Sequence, residues 1–502
     1  MLSIRPDRLT DHVPTADIFP FFEASPAGAR RWLDSLTDMA PGTVAQQLTE
    51  VIDGLNHFQC TSQVRFSILQ ALASQVVAEV KMLSGAYSRQ NACPTDTALK
   101  AFQLTHQLLG ATIEGYCQTA QNDVTGLFGG SDVLIRSLHS AMALCNMKLF
   151  HAALFYSGDE QPWELMHRIV HFARIKSLFD TTPPEADYIF GWKRYPVEDI
   201  YIASLLFSVA RPFQLTQAHM RQLYQLCPHL VHMVEECDPR DLDCTFAVRP
   251  YANSSPTPVS LLETLNLPDY WGFSAEEMRK QIEHPKRMPK AWHRCSETLQ
   301  AHVRQSLLNT KARRSKRQPT DRPVRFCMGI QHIALALSAP IFEQDADGVN
   351  IQVPSASASP LYTGHMVDIS QEGMQIQWEL PQGEARRIMV GDLIGAIVED
   401  ELQLYLIRWL KKSSGQVLRF GLEMIGRNPV PCILDDVHKA VLLKSLSVSG
   451  ASNLLTNHTR LEAGETVNLH NLLNDQLHRV QLSRQLDGNG LMRIFRVCLD
   501  SG

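Results

Sequence analysis

The sequence predicts an α+β multidomain protein, with an all-α helical N-terminal domain followed by an antiparallel β-barrel that carries a β extension. Three observations lead there. Apolar residues recur at helical three-and-four spacing from Thr15 to about Leu226. The period changes to two from Arg322 onward, in short runs separated by Gly, Pro, Asp and Ser. At 502 residues the chain is also too long for one ordinary core.

The helical candidates are Pro26–Ala40, Pro41–Asn56, Thr61–Ser88, Pro94–Asn122, Asp132–Ser157, Pro162–Phe179, Pro196–Val209 and Thr216–Leu226. Several start at a proline or just after a Ser, Thr or Asp, where the first free N–H groups find an acceptor or are not needed. Phe66, Leu69, Leu72 and Val76 mark one apolar face, and Leu134, Leu138, Met142 and Leu149 another. Short connections favour antiparallel hairpins packed as a bundle, and no strict internal repeat is present. Residues 1–288 form this domain in our reading. Its segment 238–288 is Pro-rich and irregular, with one small hairpin that includes Thr245–Val248.

Residues 289–321 read as one long helix from Pro289 to about Lys311, running into the arginine-rich sequence KARRSKR and stopping before Pro319. The barrel is expected over 322–429. It opens with Val324–Met328, followed by an apolar piece, Ile330–Leu337, of either helix or strand. Its strands continue as Tyr362–Ile369, Met374–Trp378, Arg386–Met389, Leu393–Val398, Leu402–Trp409 and Leu418–Met424. Glu343–Pro360 is polar, small and turn-rich, a surface loop or disordered insertion. The remainder, 430–502, reads as a half-barrel or sheet, with strands at Ala440–Leu446, Ala451–Leu455, Thr466–Leu469, Leu477–Ser483 and Leu491–Cys498.

Composition narrows the function classes. With 44% apolar and 20% charged residues the chain has the make-up of a soluble globular protein. No continuous apolar run approaches a membrane span, and the N-terminus lacks the apolar centre of a signal peptide. Eleven cysteines without regular spacing fit reduced thiols, so a cytoplasmic protein without membrane insertion is expected. From His284 to Arg325 twelve Lys and Arg face two acids, Glu297 and Asp321, although the whole chain carries a net charge of −5. Such a basic belt suits an anionic partner, or else the solvated face of a helix. Aromatic residues are sparse around Lys311–Arg325, which argues against single-stranded nucleic acid as that partner.

Catalytic chemistry finds little support. Glu164, His167 and His171 share a helical face but have no second set to complete a bundle metal site, and an ordinary amphipathic helix explains them. Cys227, His229, His232, Cys237 and Cys244 match no zinc spacing. No P-loop, GxSxG or GxGxxG is present. We expect no enzyme activity, no metal and no cofactor.

Two stretches remain. Asp368-Ile-Ser370-Gln-Glu-Gly373 joins two expected strands at a bend, with Gly373 supplying either a tight turn or a positive φ. Upstream, Arg313 and Arg317 stand four apart, with Arg314 an alternative to Arg313 in the register. Together with Gly391-Asp392, Arg408-Trp409-Leu410 and a closing Gly421-Leu-Glu423, this pattern resembles the PilZ family of bacterial cyclic di-GMP receptors over residues 312–426. That family pairs RxxxR with D/N-x-S-x-x-G on a β-barrel. The resemblance implies a PilZ-like barrel that binds cyclic di-GMP through Arg313, Arg314, Arg317, Asp368, Ser370 and Gly373. It also implies an interdomain rearrangement and a protein partner met through the helical domain, in motility or biofilm control. The chemistry suits: an arginine fork meets guanine O6 and N7, a carboxylate accepts guanine N–H, and arginine pairs phosphate. Two other readings stay open. One is a scaffold with a degenerate PilZ domain that binds protein without nucleotide; the other is a nucleic-acid-binding protein using the 284–325 belt.

Overall fold

In a computed structural model, residues 8–88, 95–123, 131–158, 161–183, 192, 195–262, 269–308, 316–338, 361–380, 388–399, 401–412, 417–444, 452–458, 460–488 and 492–499 are described. Arg313 and Arg314, the Glu343–Pro360 insertion and part of the expected Arg386–Met389 strand lie outside them. The chain forms two compact units. One is Met1–Ala312 with residues 383–386; the other is the rest, from Arg313 to Gly502. The division falls inside the arginine run.

The first unit is built on α1 (Pro26–Asp34), α2 (Pro41–His57), α3 (Ser62–Tyr87), α4 (Asp96–Asn122), α5 (Asp132–Leu154), α6 (Trp163–Ile175), α7 (Val197–Val209) and α8 (Gln217–Leu226). Each cap does what its residue type allows. Ser25, Thr61, Thr95, Ser131 and Thr216 accept from the backbone N–H three residues on. The central helix α4 packs against α2, α3 and α5, and sixteen of its 27 residues are buried. Arg65 on α3 is 1% exposed and donates to the carbonyls of Leu55 and Phe58, so it closes the C-terminal end of α2 from the side. Among the described residues α3 is also the one helix long and apolar enough by composition to cross a membrane. Half of its most apolar window is buried in this unit, and its buried face includes Arg65 and Glu79.

Three buried histidines make this unit acid-sensitive. Burial lowers the pKa of His139 and of His167 to about 4 and that of His151 to about 3, against 6.5 for a free imidazole. A depressed folded-state value means that the unfolded chain binds protons first, below about pH 6.5. Stability is therefore present above that pH and declines toward the folded values. We expect a loss of about 2 kcal/mol between pH 7 and pH 6 from the three together, above the carboxylate range. Urea unfolding followed by helical circular dichroism at the two pH values measures it.

Beyond α8 the expected hairpin proves to be a four-stranded sheet of order β1-β4-β2-β3, from β1 (Glu235–Cys237), β2 (Phe246–Val248), β3 (Thr257–Pro258) and β4 (Trp271–Ser274). Helix α9 (Glu276–Glu283) follows. The single long helix expected from Pro289 is broken into α10 (Lys290–His293) and α11 (Glu297–Leu308). Ser296 breaks it by accepting from Leu299 N–H as a fresh N-cap, while Gln300 donates to the carbonyls of Trp292 and Cys295.

The second unit contains two closed six-stranded antiparallel barrels. The first runs β10-β7-β6-β5-β8-β9, from β5 (Gln318–Met328), β6 (Tyr362–Ser370), β7 (Gly373–Glu379), β8 (Leu393–Val398), β9 (Glu401–Lys412) and β10 (Val417–Gly426). Phe326 is fully buried and meets Tyr362, Trp378 and Phe420 with ring centroids 5.5–5.7 Å apart. Gly329, at φ 79°, turns the chain out of β5 into the helix α12 (Ile330–Ser338), which settles the ambiguous apolar piece as helix. Ile388 and Met389 are not in a strand, contrary to expectation. The backbone there is spent on a turn in which Asp392 accepts from Met389 N–H.

The tail is a second closed barrel rather than a half-barrel, of order β11-β12-β13-β16-β15-β14. Its strands are β11 (Val430–Leu434), β12 (His438–Lys444), β13 (Ser452–Thr456), β14 (Thr466–Asn471), β15 (Gln476–Gly488) and β16 (Arg493–Leu499). The unexpected strand β11 pairs with both β12 and β14 and so closes it. Ile330, Ile333 and Ala336 of α12 lie in one apolar cluster with Leu404 and Leu406 of the first barrel and Val441, Leu443 and Leu455 of the second. The two barrels therefore share a core.

Candidate ligand site on the first barrel

The strand pairing brings distant residues together. Gln318 pairs with Ile369 and Pro319 with Asp368, which sets Arg317 beside the end of β6. Its guanidinium donates from Nη1 to Asp368 Oδ1 at 2.5 Å, across 51 positions of sequence. Both side chains are about one-fifth exposed. Bulges in β6 around Val367 and in β5 between Pro319 and Arg322 accompany this pairing, as bulges often do where a side chain must be re-aimed.

Ser370 pairs with Gly373 across a two-residue turn, Gln371–Glu372, and Ser370 Oγ donates to Gly373 O at 3.2 Å. Glu372 O accepts from Met424 N–H, which ties the turn to β10. Gly373 is not in the left-handed region, so of the two expected alternatives it is the tight turn, not the positive φ, that is found. Its reason is space: a Cβ here would lie 1.9 Å from the Leu422 carbonyl oxygen.

The strands β9 and β10 complete the wall. Trp409 pairs with Gly421 but Ile407 with Leu422, so Arg408 is the extra residue of a bulge. Consequently Arg408 is exposed and Trp409 half-buried, while Ile407 and Leu410 on either side are buried. Strict alternation would have sent Arg408 and Trp409 to opposite faces. A Cβ on Gly421 would stand 1.9 Å from Trp409 Nε1, so that glycine leaves room for the indole against β10. Arg408 Nε donates to Glu423 on the same face.

A cavity of about 210 Å³ lies between these strands, lined by Arg317, Ser370, Glu372, Gly373, Arg408, Trp409, Gly421, Leu422 and Glu423. That is below the roughly 300–1,000 Å³ of a pocket that encloses a drug-sized ligand. It has room for a base or an anionic group, with the rest of a larger ligand on the barrel surface. The arginines Arg317 and Arg408 stand there against Asp368, Glu372 and Glu423, so the described cavity is not itself cationic. The structure thus gathers Arg317, Asp368, Ser370 and Gly373 of the sequence-derived set. Arg408, Trp409 and Glu423 join them from segments that enter the PilZ resemblance as later strands of the barrel and not as ligand contacts.

Among the described residues the histidines and cysteines of the helical unit form no comparable site. His167 is fully buried, with Nδ1 2.9 Å from the Tyr201 hydroxyl and Nε2 3.3 Å from Ser254 O. Among the described residues no three His, Cys, Asp or Glu are placed to hold a metal ion. A polar cavity of about 660 Å³ sits in the helical unit, where Thr61 and Ser131 cap α3 and α5. Its described lining includes those caps, Cys60, Gln63, Asp123 and an Arg136–Asp132 pair.

Residues 27–237, from α1 to the end of β1, match the family model described as "Cyclic-di-GMP receptor FimW, N-terminal domain". The match lies within the helical unit and covers less than half of the chain. No curated protein matches the chain.

Proposed function

We propose that this protein is a cyclic di-GMP-binding effector, not an enzyme, and that its nucleotide docks on the first barrel at the Arg317–Asp368 site. The family match supports the ligand class, because the N-terminal unit is similar to the corresponding domain of a cyclic-di-GMP receptor. The observation that carries the location is the meeting of Arg317 and Asp368 at 2.5 Å on a cavity that also holds Ser370 and Gly373. The PilZ resemblance of the same residues points the same way.

Asp368 occupies one donor of Arg317 and fixes the plane of the guanidinium. The remaining donors of the fork are free of that carboxylate and suit guanine O6 and N7 or a phosphate oxygen. This differs from placing arginine and carboxylate on opposite edges of one base: in direct contact, Asp368 orients Arg317 first and accepts a guanine N–H with its second oxygen. Ser370 adds a hydroxyl at the rim. Trp409 offers a flat apolar face for the base. Arg313 and Arg314 stand on the tether just upstream, and either adds positive charge to the bound phosphates. Because the tether joins the two units, holding it on the barrel changes the freedom of the helical unit, through which a protein partner in motility or biofilm control is engaged.

Calorimetric titration of the full chain with cyclic di-GMP tests the reading, with an unrelated oligonucleotide in parallel. Saturable one-site heat with the dinucleotide alone is the expected result. No heat with either ligand leaves a scaffold that binds only protein. Salt-sensitive heat with the oligonucleotide favours the basic belt as a nucleic-acid surface.

A further inference from the structure

Both arginines of the cavity are held by carboxylates of the barrel itself, and the two pairs differ. Arg317–Asp368 is four-fifths buried, whereas the side chains of Arg408 and Glu423 are 43% and 51% exposed. The exposed pair is the weaker one, since solvent screens it. Arg408 also owes its place to the bulge opposite Gly421–Leu422, as bulges often re-aim a side chain beside a site. Glu372 on the turn adds a further negative charge to the lining. An anionic ligand therefore meets a cavity whose cations are already matched, and it gains charge pairing only by taking an arginine from its carboxylate.

We propose that Arg408 is a second anion-binding residue of this site, which takes a phosphodiester oxygen of the ligand, and that Glu423 is its internal competitor. This rests on the nucleotide-binding reading of the cavity and assigns the ligand part that Arg408 receives. In the free protein Glu423 holds Arg408. On binding, the phosphate replaces Glu423, whose carboxylate turns to solvent. Glu423 thereby sets the affinity: it lowers binding by the strength of the exposed pair and raises selectivity for a ligand able to make up that loss at other contacts.

The test compares wild type, Glu423→Gln, Arg408→Gln and the double variant, each titrated with cyclic di-GMP and, separately, with inorganic pyrophosphate, which has charge but no base. Glu423→Gln is expected to bind cyclic di-GMP about two- to fivefold more tightly than wild type. Arg408→Gln is expected to bind about tenfold more weakly, and the double variant no more tightly than Arg408→Gln. Pyrophosphate follows the same ranking. Unchanged or weaker binding by Glu423→Gln overturns the inference, the latter because Glu423 would then be a ligand contact. A gain kept in the double variant also overturns it, since the effect would not pass through Arg408. If wild type takes no cyclic di-GMP, the proposed function falls. The pyrophosphate ranking then decides this inference alone: Glu423→Gln above wild type above Arg408→Gln sustains it, and any other order rejects it.

Discussion

Replacing Arg317 by alanine is expected to weaken cyclic di-GMP binding about 100-fold while leaving both barrels folded. Arg317 is the one described cation in the cavity that is both largely buried and fixed by a carboxylate. Hydrogen bonds to charged groups contribute about 1.5–3 kcal/mol each, and a guanidinium offers two in parallel. Losing about 2.7 kcal/mol corresponds to a factor of 100. Asp368→Ala should cost less, about tenfold, because Arg317 keeps its charge and what is lost is its orientation and one acceptor for a guanine N–H. Equal losses in the two variants would mean that Asp368 contacts the ligand as strongly as Arg317 does. Calorimetry on the folded variants, with circular dichroism to show the fold retained, separates these outcomes.

Gly373→Ala is expected to act on the fold as much as on binding. The added methyl would stand 1.9 Å from the Leu422 carbonyl oxygen, and the obstacle is backbone, which has no rotamer by which to yield. Pairing of β7 with β10 must open at its Gly373–Glu423 end, beside the Met424-to-Glu372 hydrogen bond. Overpacking of this kind costs about 3 kcal/mol. For a unit of this size that corresponds to a fall in Tm of about 6–12 °C, read from the barrel transition in calorimetry. If Gly373 served only to let a ligand approach the backbone, the substitution would abolish binding and leave Tm unchanged.

Helix positions were legible in the sequence because caps are local. The Ser, Thr and Pro starts of α1 to α5 act within four residues of themselves, so reading them needs no tertiary structure. The break at Ser296 was hidden by the same locality, since an amphipathic pattern continues across it from Trp292 to Leu299. Strand β11 was obscured by Pro431, which lacks an N–H and pairs with Val441 in a strand that a barrel needs to close. The strands β1 to β4 are two to four residues long, too short for any period to show.

The site divides in the same manner. Asp368, Ser370 and Gly373 are legible because they lie within six residues of one turn. Arg317 is suggested by composition, yet its partner is fixed only by the pairing of Pro319 with Asp368. Arg408 and Trp409 were legible as a later barrel strand but not as a wall of the cavity, because adjacent residues in a regular strand face opposite ways and a bulge is not written in the period. Glu423 looked like a strand-closing residue and acquires a second meaning only once Arg408 is beside it.

The most direct measurement is photo-crosslinking of an azido derivative of cyclic di-GMP to the full chain, with the labelled residues mapped by mass spectrometry. The account predicts label on the β6–β7 hairpin and on the Arg408–Trp409 segment, competed away by unmodified cyclic di-GMP and lost in Arg317→Ala. Competed label confined to residues 27–237, with the barrel unmarked, would contradict it.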